Sequence, residues 1–377
     1  YEHAARALDL AVARTGAHGL PLILGGDWND GMNRVGEKGE GESVWLGWFL
    51  AATLKSFLAH AQARGDEARI TRWTAHLAAL GLALETAAWD GDYYRRGYFD
   101  DGTPLGSAQS EECRIDSIAQ SWSVLSGEGK PEQSAKALDA ALAQLVDEEN
   151  GIIRLFTPPF EKTKLDPGYI KAYPPGVREN GGQYAHGGVW ALMAAAALAL
   201  QEPDHAGAQD VPYRYFTYLS PAHRAQHPVW GTVYGLEPYA MAADICSQPP
   251  YVGRGGWSWY TGAAGWLHRA TVESILGLQM RATELFFTPC LPSHWPGAEL
   301  TLVRDGRTLR FILVRVASGA AQLLLPGDAP VGARLLQVGQ RLCWVGLPAD
   351  ACFVIPLWAG AEIATERPPM TSAVALA

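Results

Sequence analysis

Cysteine is scarce in this chain and poorly placed for structural chemistry. Cys113, Cys246, Cys290, Cys343 and Cys352 are odd in number, scattered, and never spaced as CxxC. That pattern disfavours a disulfide framework or a zinc site and favours a reducing compartment, read here as the cytoplasm. Positive charge is also short: 30 Lys and Arg stand against 39 Asp and Glu, a net charge of -9. There is no basic footprint for nucleic acid and no polybasic stretch for anionic lipid. Long hydrophobic runs are missing too. The longest, Val189 to Leu200, is too short to span a bilayer and reads as a buried helix. No GxSxG elbow, HExxH or GxxxxGK[ST] occurs, so nucleophilic serine, metal-hydrolase and P-loop chemistry lack support. No signal peptide is visible, and the chain opens at Tyr1 within an apparent helix, so it reads as part of a longer polypeptide.

What remains is ample for folding. The 377 residues are 48% hydrophobic and 18% charged, enough for one large domain and a smaller one. Twelve of the fourteen tryptophans precede residue 300. Tryptophan stacks on sugar faces, but it also fills cores.

Helical periodicity dominates the first part. Residues 2 to 15 form one amphipathic stripe. Ser43 is a candidate N-cap for a helix burying Trp45, Trp48, Phe49 and Ala52. A helix after Asp66 carries Ile70, Trp73, Leu77, Leu80 and Leu84 on one face. Residues 91 to 107 break the pattern, with aromatics around an Asp101-Gly102 turn that suggests a hairpin or long loop. Helices are expected again at Asp116–Leu125, from Pro131, up to Leu200, at 208 to 218, and at Thr261–Leu276. The period then changes. Strands are expected at Leu300–Val303, Thr308–Val316, Gln322–Leu325, Leu335–Val338 and Phe353–Leu357, with Asp305-Gly306 as a hairpin turn. Helices followed by strands place a domain boundary near 285 to 295.

Four loop clusters carry chemistry. Gly25-Gly26-Asp27-Trp28-Asn29-Asp30-Gly31-Met32-Asn33 combines two carboxylates, two amides and an indole among glycines. Both a tight turn and a sugar site satisfy it. Residues 176 to 187 bring Arg178, Glu179, Asn180 and Gln183 beside His186 at a helix start. Residues 253 to 262 feed a helix whose first amides are free for an anion, with Thr261 as either cap or ligand. In residues 111 to 122, Arg114 with Asp116 reads as a structural pair at a helix start, and Gln120 and Trp122 either line a subsite or pack inside.

Taken together, LPLILGGDWNDGMNRVGEKGEGESVWLGWFL (20–50), RIDSIAQSWSVLSG (114–127), LDPGYIKAYPPGVRENGGQYAHGGVW (165–190) and EPYAMAADICSQPPYVGRGGWSWYTGAAGW (237–266) resemble glycoside hydrolase family 94, the inverting β-glycoside phosphorylases; PCLPSHWPG (289–297) fits as well. Within the family, the likeness is to the phosphorylase-like region of cyclic β-1,2-glucan synthases and to 1,2-β-oligoglucan phosphorylases. The resemblance implies a mainly α fold: the C-terminal part of an (α/α)6 barrel over 1–288, a small β-sandwich-like domain over 289–365 and a tail over 366–377. It implies Asp30 as the general acid, and Asp27 and Trp28 in the donor-sugar subsite. Arg178 and Glu179 would bind substrate on the acceptor side, and the residue reading adds Gln120 and Trp122 as substrate ligands. His186, Thr261 and Gly262 would bind phosphate.

An inverting hydrolase needs a second carboxylate, about 6.5 to 9.5 Å from the acid, to activate water. Phosphate is already a nucleophile and needs an anion cradle instead. The expected reaction is phosphorolysis of β-glucosides, most readily β-1,2-glucan, to α-glucose 1-phosphate. Inorganic phosphate is then a co-substrate, with no cofactor and no metal. The partners would be β-glucan or its oligosaccharides, with no nucleic acid, a membrane link only through upstream regions of a synthase, and a homodimer as one allowed assembly. The alternatives are an inverting hydrolase with Asp116, Glu179 or Glu112 as base, and a non-catalytic glucan-binding or chain-length-controlling region of a synthase.

Overall fold

The computed structural model describes residues 1–201, 207–316 and 330–358. It divides into two compact units, one of residues 1–194 with 217–264, the other of 195–216 with the described residues from 265 onward. The fold is mainly helical, with α1 (Glu2–Ala13), α2 (Val44–Arg64), α3 (Glu67–Thr86), α4 (Ser117–Leu125), α5 (Pro131–Leu145), α6 (Ala185–Gln201), α7 (Val211–Leu219), α8 (Pro221–Gln226), α9 (Trp230–Tyr234) and α10 (Thr261–Arg269).

Helix starts in the first unit follow the capping residues. Ser43 Oγ accepts from Leu46 N at 3.0 Å, Asp66 from Arg69 N at 3.3 Å and Asp116 from Ile118 N at 2.9 Å. Helix α5 opens on Pro131, whose missing N–H costs nothing there. Gly65, at φ +65°, ends α2, and α3 starts two residues later, so the two form an antiparallel hairpin. Trp48, Trp73, Leu80 and Leu84 are buried.

Short ladders fasten the loops ahead of several helices. Glu42–Ser43 pairs with Gly97–Tyr98, which pairs with Pro104–Leu105 to give the hairpin expected around Asp101-Gly102. Ile115–Asp116 pairs with Phe156–Thr157, and Gln183–Tyr184 with Asp244–Ile245. These pairs lie immediately before α2, α4 and α6. Ahead of α10, Trp257 O accepts from Ala243 N at 2.6 Å and Tyr260 N donates to Met241 O at 2.9 Å.

In the second unit, Gly297–Arg304 and Arg307–Val316 form the expected hairpin. Its turn has φ +48° at Asp305 and +72° at Gly306, both in the left-handed region that a two-residue turn of this hand requires. Asp350–Trp358 runs parallel to Arg307–Val316, and Arg334–Leu335 lies parallel on its far side. Phe287, Phe311 and Phe353 stack through this core, with ring centroids 4.8 and 5.5 Å apart. A further hairpin, Leu278–Arg281 with Glu284–Phe287, was not expected. The last helix is shorter than expected, because after Arg269 the backbone winds more widely through Ala270–Ile275. The expected strand at Gln322–Leu325 and the tail after 365 lie outside the described residues. Among the described residues, no helix is long and apolar enough to cross a membrane.

Glu42 illustrates how strongly a loop is held. Its carboxylate, 1% exposed, accepts from His18 N at 3.0 Å and Leu20 N at 3.1 Å, and it also pairs with the His18 ring. Glu42→Ala should loosen residues 16–22 by about 2 kcal/mol, the cost of leaving buried donors unpaired. The check is faster amide exchange at His18 and Leu20 with α3 unchanged.

Candidate active site

The loop that carries Asp30 is folded by its own polar side chains. Gly26, at φ +130°, turns the chain so tightly that a Cβ there would lie 3.2 Å from Asp30 Cα. Asp27 Oδ1 accepts from Asn29 N at 2.9 Å, and a single turn at Asp30–Met32 follows. Asp30 is left exposed.

Beneath this loop lies a buried ion cluster. Arg96 and the Asp27 side chain have no exposed surface, and they meet in a two-pronged pair, Nη1 to Oδ2 and Nη2 to Oδ1, each at 2.7 Å. Ser43 Oγ donates to Asp27 Oδ2 at 2.6 Å. On its other side, Arg96 Nε lies 3.2 Å from Asp116 Oδ2, an ion pair without hydrogen-bond alignment. Arg96 therefore ties the Asp30 loop to the caps of α2 and α4. Gly106 makes room for it, since a Cβ there would meet Arg96 Cβ at 2.5 Å. Burial alone would raise Asp27, but the Arg96 charge and the bonds from Arg96 and Ser43 outweigh it and hold the carboxyl below its ordinary value. For Asp116 burial wins, and its carboxyl is pushed up to about 6.

Trp28 joins this loop to His186. Its Nε1–H donates to His186 Nδ1 at 3.1 Å, and burial pushes the imidazole down to about 4, so the ring is neutral at pH 7. An indole can only donate, so the remaining imidazole proton sits on Nε2. Trp190 packs against both rings, at 5.3 Å from Trp28 and 4.2 Å from His186. Tyr184 stands edge-on to Trp28 at 5.5 Å, and its hydroxyl meets that of Tyr260 at 2.9 Å. Tyr260 immediately precedes Thr261 and Gly262, which are exposed at the N-terminus of α10.

The loop 166–179 closes the other side. Arg34 N donates to Pro167 O at 3.2 Å and Tyr169 N to Asn33 Oδ1 at 3.1 Å. Burial, and then the neighbouring Asp30 carboxylate, push the Tyr169 phenol up to about 12. Arg178, at φ +50°, pairs with Glu179 at 3.2 Å and lies over the rings of Tyr173 and Trp257, at 5.3 and 4.3 Å. Its backbone N–H donates to Asp244 Oδ2 at 2.8 Å. No cluster of three or more His, Cys, Asp or Glu fit for a metal occurs among the described residues.

Residues 1–277 match the family model for the glycosyl hydrolase 94 superfamily, catalytic domain. The chain belongs to glycosyl hydrolase family 94. It is 60% identical over 315 residues, 84% of its length, to the cyclic β-(1,2)-glucan synthase NdvB of Rhizobium meliloti (strain 1021), of which it spans 11%. It is 30% identical over 89% of its length to the 3-O-β-D-glucopyranosyl-β-D-glucuronide phosphorylase of Paenibacillus borealis, spanning 42% of that protein. The N,N'-diacetylchitobiose phosphorylase of Vibrio proteolyticus is similar at 30% identity, with 89% of this chain and 40% of that protein covered.

Within this family 94 chain, the structure brings Asp30, Trp28, Arg178, Glu179, His186, Thr261 and Gly262 into one linked set of loops. Three other expected ligands sit inside instead. The Asp27 carboxylate is consumed by Arg96, Ser43 and Asn29. Gln120, fully buried, exchanges hydrogen bonds with Tyr94 N at 2.8 Å and Tyr94 O at 2.7 Å. Trp122, 4% exposed, packs among Trp45, Phe49 and Trp190. None of these three side chains has surface to offer a sugar here. Sequence reasoning missed Arg96, Tyr169, Tyr173, Tyr184 and Tyr260. The two tyrosines before Arg178 lie within a motif already singled out, but Arg96 is one of two adjacent arginines that nothing local separates.

Two outcomes follow from the ion cluster. Arg96→Met should cost about 3–5 kcal/mol, because it strands two buried carboxylates. Asp116, raised above its ordinary 3.8, contributes stability below that value that is lost as pH rises through about 6. Asp116→Asn keeps the cap and removes that loss. The stability gap between variant and parent, followed by urea unfolding from pH 4 to 7, should widen in favour of Asn by on the order of 2 kcal/mol.

Proposed function

We propose that this chain supplies the general acid and the phosphate cradle of an inverting phosphorylase acting on β-glucosides, with β-1,2-linked glucan as the favoured substrate. The helical unit is read as part of an (α/α)6 barrel, which the α2–α3 hairpin and the fastened helix N-termini support. Asp30 protonates the departing glycosidic oxygen while a phosphate oxygen attacks the anomeric carbon from the opposite face. The products are α-glucose 1-phosphate, with inversion, and a shortened glucan. His186 Nε2–H, the Thr261 hydroxyl and the amides at Thr261 and Gly262 hold the phosphate; Trp28 holds His186 and borders the donor sugar. Arg178 and Glu179 contact the acceptor side. Asp27, Gln120 and Trp122 act by holding these residues in place.

The observation that carries the reading over hydrolysis is the state of the other carboxylates. A hydrolase needs one that is free to take a proton from water. Asp116 is buried as the cap of α4 beside Arg96. Glu112 accepts from the backbone N–H groups of Glu161, Lys162 and Thr163 at 2.7 to 2.9 Å. Glu179 is paired with Arg178. Each candidate base is already committed, whereas phosphate needs none. The similarity to two phosphorylases and to NdvB gives the reading its substrate class.

In the full-length protein, β-1,2-glucan with phosphate should release α-glucose 1-phosphate, and Asp30→Asn should abolish it, by about 10²-fold or more. Equal sugar release without phosphate would sink the proposal. Phosphate binding through a neutral His186 should not decline across pH 5.5 to 7.5, and His186→Ala should raise the KM for phosphate.

A further inference from the structure

Three large aromatic side chains left in solvent lie within residues 239 to 259, and one of them, Trp257, packs under Arg178. Trp257 is 68% exposed, Trp259 64% and Tyr239 75%, and among the described residues no other tryptophan is exposed. Folding does not account for this. Trp259 has φ +63°, a conformation that costs a bulky residue about 1–3 kcal/mol, and burial of its indole returns little. The segment is also held firmly, because Trp257 O and Tyr260 N are both hydrogen-bonded to residues 241–243. Tyr239 meets Trp259 edge-on with centroids 6.0 Å apart. A rigid, strained, solvent-facing pair of indoles is a surface shaped for a ligand.

Its position and chemistry name the ligand. A line of neighbours leads away from the acid: the Tyr169 phenol feels the Asp30 charge, Tyr169 meets Tyr173 at 6.4 Å, and Arg178 lies over the rings of both Tyr173 and Trp257. Between residues 239 and 262 the charged residues are the buried Asp244 and Arg254, so the surface does not select for a polyanion or a polycation. Exposed flat aromatic rings bordered by an arginine suit a neutral polyhydroxylated chain, whose C–H faces stack on rings while its hydroxyls stay wet. We propose that Tyr239, Trp257 and Trp259 form a platform for the glucosyl units of a β-glucan that extend past those held at the acid. The platform selects long chains over disaccharides and rests on the phosphorylase reading above.

The experiment uses Trp259→Ala, Tyr239→Ala and Trp259→Phe in the full-length protein, with β-1,2-glucan oligosaccharides of increasing length. The alanine variants should raise KM for long chains by about fivefold or more, a loss of about 1 kcal/mol. They should leave kcat, and kcat/KM for the disaccharide, unchanged. Trp259→Phe, which keeps a ring, should restore most of the affinity. Calorimetric binding of the long glucan to an Asp30→Asn background should weaken in parallel when Trp259→Ala is added. Unchanged KM at every length would overturn the platform, as would equal losses for disaccharide and long chain. A changed oligomeric state with glucan affinity intact would also overturn it, by assigning the face to protein contact. If the parent protein binds glucan through Trp259 but releases no glucose 1-phosphate, the phosphorylase reading fails and the platform stands.

Discussion

The site depends on one buried arginine. Arg96 lies with no exposed surface between Asp27, on the Asp30 loop, and Asp116, at the start of α4, and it also touches Ser43 at the start of α2. A guanidinium taken out of water is tolerable only when carboxylates meet it in good geometry, and the two-pronged pair with Asp27 provides that. With two acids to one base, the cluster cannot hold both carboxylates equally well. Asp27 wins the better geometry and is held low, whereas Asp116 is pushed up. The consequence reaches Asp30, because Asp27 fixes the turn three residues before it.

Above that anchor, rings do the positioning. Trp28 is oriented by Trp190 and Tyr184 and in turn fixes the tautomer of His186. Tyr184 and Tyr260 extend the same network to the start of α10. Each expected phosphate contact is thereby linked to the loop that carries Asp30. A neutral histidine suits such a site, since it offers a directed N–H across the physiological pH range. The high tryptophan content divides between these tasks: Trp45, Trp48 and Trp122 fill the interior, Trp28 borders the site, and Trp257 and Trp259 stand in solvent.

Local signals in the sequence were enough for the starts of α2 to α5, but not for α8 and α9. Ser43, Asp66, Asp116 and Pro131 act where capping chemistry placed them, and Asp305-Gly306 makes its turn, because these preferences arise within a few residues of backbone. The Leu278–Phe287 hairpin and the parallel pairing of 307–316 with 350–358 were not legible. The first is short and lies beside a helical stretch, with Ala282-Thr283 and no strong turn residue at its tip. The second joins strands separated by some forty residues, and nothing in either strand specifies its partner.

Sequence by itself determined the family-level resemblance, the mainly helical character and the loops that carry Asp30, Arg178, Glu179, His186, Thr261 and Gly262, since long ordered motifs and residue type suffice for these. Tertiary structure alone decided which polar residues are free. Asp27 and Asp30 look equivalent in one short motif, yet one is sealed against Arg96 and the other faces solvent. Gln120 and Trp122 look like ligands but are packing. The reason is physical: availability depends on what the rest of the fold brings against a side chain, and no local pattern records that.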